Sequence, residues 1–255
     1  MLFDKNASTL QNIHIIYMTK AEKKHIKQLQ QKKYRNEFRS FIVEGWKSIN
    51  DFIDSGYIPE MIYATTENAK YKHNFALEII NKKELESISL LKNPKDALAV
   101  FFQKDFGLLP QKDIILALDN LQDPGNLGTI IRTADWFGIK NIVCSQNTVD
   151  CYNPKVVQAT MGSLANVNII YTDLQKYLKA AKLPVLGTFL QGKNVDKITF
   201  SKDTIIVIGN EGNGISKEIE AYITQKITIA KHPDANAESL NAAIATAVVL
   251  SKVAY

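Results

Sequence analysis

An α/β protein is predicted, with a mostly parallel C-terminal sheet flanked by helices and a smaller N-terminal α/β domain ahead of it. Three observations lead to this. Continuous apolar, β-branched runs recur at 114–118, 141–144, 166–170, 184–190, 204–208 and 226–230, with helical stretches between most of them. Runs that are apolar throughout, rather than alternating, suit strands covered on both faces, as in parallel sheets. Before them lies a segment of shorter strands and polar helices, and residues 103–112, which combine Gly, Pro and alternating charge, read as a linker. The expected division is 1–102, a linker at 103–112, and 113–255.

In the first part, residues 20–33 have helical composition, 40–43 read as a strand, and 44–55 as the helix after it. Further strands are expected at 61–65, 77–80 and 97–102. Charge is uneven along the chain. The net formal charge is +5, and residues 1–40 hold nine basic against three acidic residues. Two readings remain open for Lys20, Lys23, Lys24, Lys27, Lys32, Lys33, Arg35 and Arg39: a surface for a polyanion, or a solvated helix face.

Composition narrows the class. A 45% apolar and 22% charged chain of 255 residues is ordinary for a soluble protein of two domains. The segment MLFDKNASTLQ lacks the basic start and long apolar stretch of a secretory signal. The C-terminal helix, expected over 239–255, is interrupted by Asn241, Thr246 and Lys252, whereas a membrane span takes about 20 predominantly apolar residues. Cys144 and Cys151 have no Cys or His partners at metal-ligand spacing, so free thiols in a reducing cytoplasm and no metal site are expected.

Three apolar runs end in small polar turns that open helices. Unpaired backbone N–H groups at such places gather polar ligands, and in open α/β sheets ligands sit beyond the carboxyl ends of strands. In LDNLQDPGNLGTIIRTADWFGI, Pro124-Gly125 forms a tight turn, Asn126 can cap a helix beginning near Leu127, and Arg132 lies on its second turn. In IGNEGNGIS, glycines at 209, 212 and 214 surround Glu211, and Ser216 can cap the next helix. This is neither the G-x-G-x-x-G dinucleotide fingerprint nor a P-loop, so nicotinamide and nucleoside-triphosphate readings lose support. In HPDANAESLNAAIATAV, Asn236 or Ser239 can cap a helix entered through Ser239-Leu240-Asn241.

Together these segments resemble the SpoU/TrmH-type RNA 2′-O-ribose methyltransferases of the SPOUT superfamily. The resemblance rests on N-x-G-x-x-x-R at Asn126, Gly128 and Arg132, G-x-E-G-x-G at 209–214, and Ser-Leu-Asn at 239–241, in the family's order over about 140 residues. Residues 153–157 with Gly162 are similar to the family's intermotif region, and FIVEGWKSINDFI (41–53) to its ribosomal-protein-like substrate-binding domain. The third motif departs from the family's Pro-Met-x-Gly, carrying Ala230-Lys231-His232-Pro233-Asp234 instead.

The resemblance implies methyl transfer from S-adenosylmethionine to a ribose 2′-hydroxyl of rRNA or tRNA, a trefoil-knotted catalytic domain, and a homodimer formed through that domain. It places the donor on backbone at Thr188, Gly209, Ile229 and Leu240, and makes Asn126, Arg132, Glu211, Ser239 and Asn241 the reacting group. The family's arginine has been assigned as general base. A guanidinium with a pKa above about 12 is better suited to gripping phosphate and stabilising a developing alkoxide. The apolar C-terminal helix, with Leu240, Ala243, Ile244, Ala247, Val248 and Leu250 nearly all round, independently calls for cover by a partner or by the rest of its own subunit. Two rivals are a non-catalytic RNA-binding or assembly protein keeping this fold, and a nucleotide-cofactor oxidoreductase.

Overall fold

The structure is a computed structural model that describes residues 17–66, 75–107 and 111–253. The segment MLFDKNASTLQ, linker residues 108–110 and the last two residues lie outside the described part.

The N-terminal unit runs α1 (Lys20–Gln28), α2 (Lys32–Phe38), β1 (Ser40–Glu44), α3 (Trp46–Asp54), β2 (Pro59–Ala64), β3 (Leu77–Ile79), α4 (Lys82–Ile88) and β4 (Ala97–Phe102). Its sheet has the order β1-β4-β2-β3, antiparallel except for β2 with β3. The single helix expected over 20–33 is two helices. Leu29 closes α1 by donating to the carbonyls of His25 and Ile26, and α2 restarts at Lys32. Glu44 belongs to β1 rather than to the next helix, and its carboxylate accepts from Ser89 Oγ at 2.5 Å and from the Leu90 amide at 2.8 Å.

The C-terminal unit contains β5 (Ile114–Leu118), α5 (Pro124–Trp136), β6 (Asn141–Ser145), α6 (Pro154–Thr160), β7 (Asn168–Thr172), α7 (Leu174–Ala180), β8 (Val185–Asn194), β9 (Thr204–Ile208), α8 (Lys217–Glu220), β10 (Gln225–Thr228) and α9 (Ala242–Val253). The sheet is parallel throughout, ordered β10-β8-β9-β5-β6-β7. From β5 the chain winds outward through β6 and β7, crosses to β8, and returns to insert β9 against β5. The direction of winding therefore changes beside β5, the kind of place where open α/β sheets bind ligands. Two of the expected strands are offset: 166–170 is found at Asn168–Thr172, and 226–230 at Gln225–Thr228.

Alternation along each strand explains why the runs are apolar throughout. Leu116, Leu118, Ile142, Cys144, Ile206 and Ile208 face α5, α6 and α9, while Ile115, Ala117, Val143, Ile205 and Val207 face α7 and α8. Both thiols are free and buried, and burial pushes each of them well up from its ordinary pKa. Helices α5 and α6 meet at Gly128. A Cβ there would lie 2.4 Å from the Ala159 Cβ and 3.0 Å from the Val156 carbonyl oxygen, so the helix contact requires glycine.

The two units share one core. Phe41 and Phe101 from the N-terminal sheet, Phe52 from α3 and Tyr57 from the turn after it pack in the same cluster as Leu118, Leu127, Tyr152 and Val156. The rings of Phe41 and Tyr152 are 4.4 Å apart, and the Lys104 amide donates to the Tyr152 hydroxyl at 3.2 Å. Arg35 adds a buried polar tie. It is 2% exposed, donates through Nε and Nη2 to Asp150 Oδ2 at 2.8 and 2.7 Å, and through Nη1 to the carbonyls of Leu29 and Gln30. Arg35 is thus removed from the polyanion-facing group suggested by composition, and works inside the protein.

Candidate active site

The three turns converge because β9 and β5 are neighbours and β10 lies just beyond β8. After β5, Asp119 is buried and its Oδ2 accepts from the Ser216 amide at 2.8 Å, tying the first turn to the second. Ser216 does precede α8, but its side chain makes no cap hydrogen bond. Helix α5 then begins earlier than the sequence suggested. Its N-cap is Asp123, whose Oδ1 accepts from the Asn126 amide at 2.7 Å, with Pro124 at the first helical position. Asn126 is therefore inside the first turn, with its side-chain amide available for other partners.

That amide joins the three motifs. Asn126 Nδ2 donates to Glu211 Oε1 at 3.0 Å, and Asn126 Oδ1 accepts from Asn241 Nδ2 at 2.8 Å. Glu211 also receives the amides of Asp123 at 3.2 Å and Gln122 at 3.3 Å. Asn241 Oδ1 in turn accepts from the amides of Ala243 and Ile244 at 2.9 and 3.3 Å, so Asn241 caps α9, not Asn236 or Ser239. The direction of this chain is set by charge. A carboxylate only accepts, so Asn126 must present its NH2 to Glu211, its oxygen to Asn241, and Asn241 its own oxygen to the helix.

Burial alone would raise the Glu211 carboxyl pKa. Hydrogen bonds from the Asn126 side chain and from the backbone amides of Glu211, Asp123 and Gln122 outweigh it and leave the group below its usual value. A lowered folded pKa means that the stabilisation is present at neutral pH and is lost as the pH falls through the carboxylate range.

The loop holding Glu211 is itself closed. Asn210 and Gly214 exchange backbone hydrogen bonds at 2.9 Å each, Asn210 Oδ1 accepts from the amides of Gly212 and Asn213, and Asn210 Nδ2 donates to the Asn120 carbonyl at 2.7 Å. Gly209 is pressed against the returning limb of the loop, where a Cβ would fall 2.2 Å from the Gly214 carbonyl carbon. No signal in the sequence marked Asn210 as the closure. The glycines close on either side of it were the available clue.

Arg132 and Ser239 are exposed and stand outside this interlock. Arg132 lies about 9 Å along α5 from Asn126 at 1.5 Å per residue, on a solvent-facing strip with Thr129 and Trp136. The structure thus divides the five expected reacting residues into three that brace each other and two that face outward.

Three of the four backbone positions expected to hold a cofactor lie where β8, β9 and β10 leave the parallel sheet, and the fourth precedes α9. Gly209 follows β9, Ile229 follows β10, and Leu240, 49% exposed, precedes Asn241. Thr188 sits where β8 leaves its ladder. Lys226 of β10 pairs with Gly187, but the next residue, Ile227, pairs with Lys193, so residues 188–192 bulge outward. The Thr188 hydroxyl donates back to the Val207 carbonyl at 3.2 Å. An exposed apolar side chain amid bare backbone, close to an ionised carboxylate loop, fits a ligand combining an apolar or heteroaromatic part with a cationic centre.

Residues 113–251 match the SpoU rRNA Methylase family, and residues 20–99 match the MRM3-like substrate binding domain. Over 231 residues the chain is 28% identical to the 23S rRNA (guanosine(2553)-2′-O)-methyltransferase of Bacillus subtilis, covering 88% of this chain and 92% of that one. A TrmH-family structure from Porphyromonas gingivalis superposes with a TM-score of 0.85 at 33% identity, over 93% of this chain and 98% of that chain. An AdoMet-bound rRNA methyltransferase from Sinorhizobium meliloti superposes with a TM-score of 0.84 at 32% identity, over 94% of this chain and 96% of that chain. With its catalytic half matched by the family and nearly its whole length matched in three dimensions, the chain belongs to the SpoU rRNA methylase family.

Proposed function

We propose that this methyltransferase uses S-adenosylmethionine to methylate a ribose 2′-hydroxyl of rRNA or tRNA, in the cytoplasm. The observation that carries the reading is the Glu211–Asn126–Asn241 interlock, which braces all three family motifs at one end of the sheet. When bound, the donor supplies an electrophilic methyl on a sulfonium. Thr188, Gly209, Ile229 and Leu240 would hold its adenosine part by backbone contact, and the Glu211 carboxylate is the charge complementary to the cation.

The chain's own task is then alignment of the ribose oxygen in line with the methyl, a large share of the rate in such a displacement. Arg132, exposed with a planar fork, grips a substrate phosphate and stabilises the oxygen as its proton leaves. Ser239 orients the ribose. Asn126, Glu211 and Asn241 spend their polar side-chain atoms on the interlock and on nearby backbone amides, so beyond the charge of Glu211 they act by keeping the two outward groups in register.

Residues 1–102 form the substrate-binding domain and 113–255 the catalytic domain, connected by 103–112. Trp136, 82% exposed, and Ile244, 52% exposed, leave apolar surface on α5 and α9, which a second copy covers. Sedimentation is expected to give a dimer at micromolar concentration, and monomer alone would refute it.

The function is tested by transferring tritiated methyl to rRNA and tRNA from cells lacking this gene, followed by digestion to nucleosides. The expected product is one 2′-O-methyl nucleoside. Label on a base, or none on RNA, overturns the reading.

A further inference from the structure

The structure assigns the exposed face of α1 as a docking surface for the phosphodiester backbone of the substrate RNA, a proposal that rests on the function above. Lys20, Lys23, Lys24, Lys27, Gln28 and Gln31 line one groove of about 420 Å³. The helix has a single way to sit. Ile26 and Leu29 are buried beneath it against β1, β4 and α4, so residues 20, 24 and 27 are turned outward together.

Local stability does not account for these cations. The N-terminus of a helix carries partial positive charge and disfavours Lys there, by roughly 0.3–1 kcal/mol for each badly placed charge. Lys20, Lys23 and Lys24 nevertheless occupy the first residues of α1. The nearby carboxylates are already engaged: Glu22 accepts from the Thr19 amide and hydroxyl in a capping box, and Glu84 pairs with Lys23 at 2.9 Å. Among the described residues no ion pair occupies Lys20, Lys24 or Lys27, and all three are exposed, so the groove presents uncompensated positive charge to solvent.

Lysines at such spacing neutralise successive phosphates. The two glutamine amides can donate to and accept from 2′-hydroxyls, and Tyr17, 77% exposed ahead of the Thr19 cap, offers a flat ring to an unpaired base. The groove is also held at a fixed offset from the catalytic unit. Arg35 grips the carbonyls of Leu29 and Gln30 at the end of α1 while pairing with Asp150 in the β6–α6 connection. RNA lying on α1 is therefore registered against the methyl-transfer site through the Arg35–Asp150 tie.

The test is fluorescence anisotropy with a fluorescein-labelled mixed-sequence RNA hairpin, over a salt series, on the full chain. Wild type is compared with a triple variant, Lys20→Gln, Lys24→Gln and Lys27→Gln, and with an equal-charge control, Lys179→Gln, Lys182→Gln and Lys202→Gln. The α1 variant is expected to bind about 10-fold or more weakly at about 0.1 M salt, with the slope of log affinity against log salt reduced by roughly 2–3. Its melting temperature and its affinity for S-adenosylmethionine stay unchanged, and the control triple binds as wild type does. Wild-type affinity and slope in the α1 variant, or equal losses in both triples, overturn the surface. So does an α1 groove that captures polyglutamate but leaves RNA binding untouched. If wild type methylates RNA while the α1 variant is unaffected, the surface fails and the function stands. If wild type binds the hairpin through α1 but transfers no methyl to any RNA, the function fails and the surface stands.

Discussion

Replacing Arg35 with methionine is expected to lower the stability of the folded chain by about 3–5 kcal/mol, the cost of breaking a buried ion pair by removing one partner. The side chain is 2% exposed and the Asp150 side chain is 12% exposed, so water cannot replace what is lost. Removal strands the Asp150 carboxylate and two backbone carbonyls, each of which had a donor at 2.7–2.9 Å. Chemical denaturation reads the change directly, and for a chain of this size the melting temperature should fall by roughly 6–9 °C. The double variant Arg35→Met with Asp150→Leu should recover much of the loss, because it removes the orphaned charge. The exposed pair Lys47–Asp51 provides the contrast, since surface i,i+4 pairs contribute only about 0.3–0.5 kcal/mol. A loss below about 1 kcal/mol for Arg35→Met would show that the tie is incidental.

Arg132→Ala is expected to reduce the rate of methyl transfer by about 100- to 1,000-fold, the range seen when one charge-stabilising donor is removed from a transition state. Stability should stay within about 0.5 kcal/mol of wild type, because Arg132 is exposed on α5 and outside the hydrogen-bonded interlock. Arg132→Lys keeps the charge but loses the planar fork, and should remain closer to alanine than to wild type. Single-turnover transfer with both the RNA complex and the methyl donor saturated separates this chemical loss from weaker binding. Near-normal turnover in Arg132→Lys would sink the bidentate grip on phosphate.

The catalytic sheet was readable because parallel strands buried on both faces are apolar throughout, so 114–118 and 204–208 are found at the expected bounds. The strands expected at 166–170 and 226–230 were offset, since turn residues beside them gave weaker edges. Capping was only half legible. Asp123 followed by Pro124 is a stronger start signal than Asn126, and it was available in the sequence. Arg35 was hidden for a different reason. It stands in a lysine-rich stretch and its partner is 115 residues away, a separation that local pattern cannot bridge. The family resemblance grouped Glu211 with Asn126, but their direct hydrogen bond was not legible in local pattern, because 85 residues separate them and the placement of β9 beside β5 brings them together.

The ring contacts of Phe41 with Phe52, Phe101 and Tyr152 carry a lesson about ancestry and engineering. Tyr152 is contributed by the catalytic half and the three phenylalanines by the other, so the seam between the halves is an interior and not a surface. The small half is therefore no exchangeable cassette. A foreign one grafted at the linker would have to arrive with its own matching aromatic face, or leave a hydrophobic wound on both pieces. If α1 carries the RNA, new targets are more easily reached by editing its solvent side, while the seam behind it is kept.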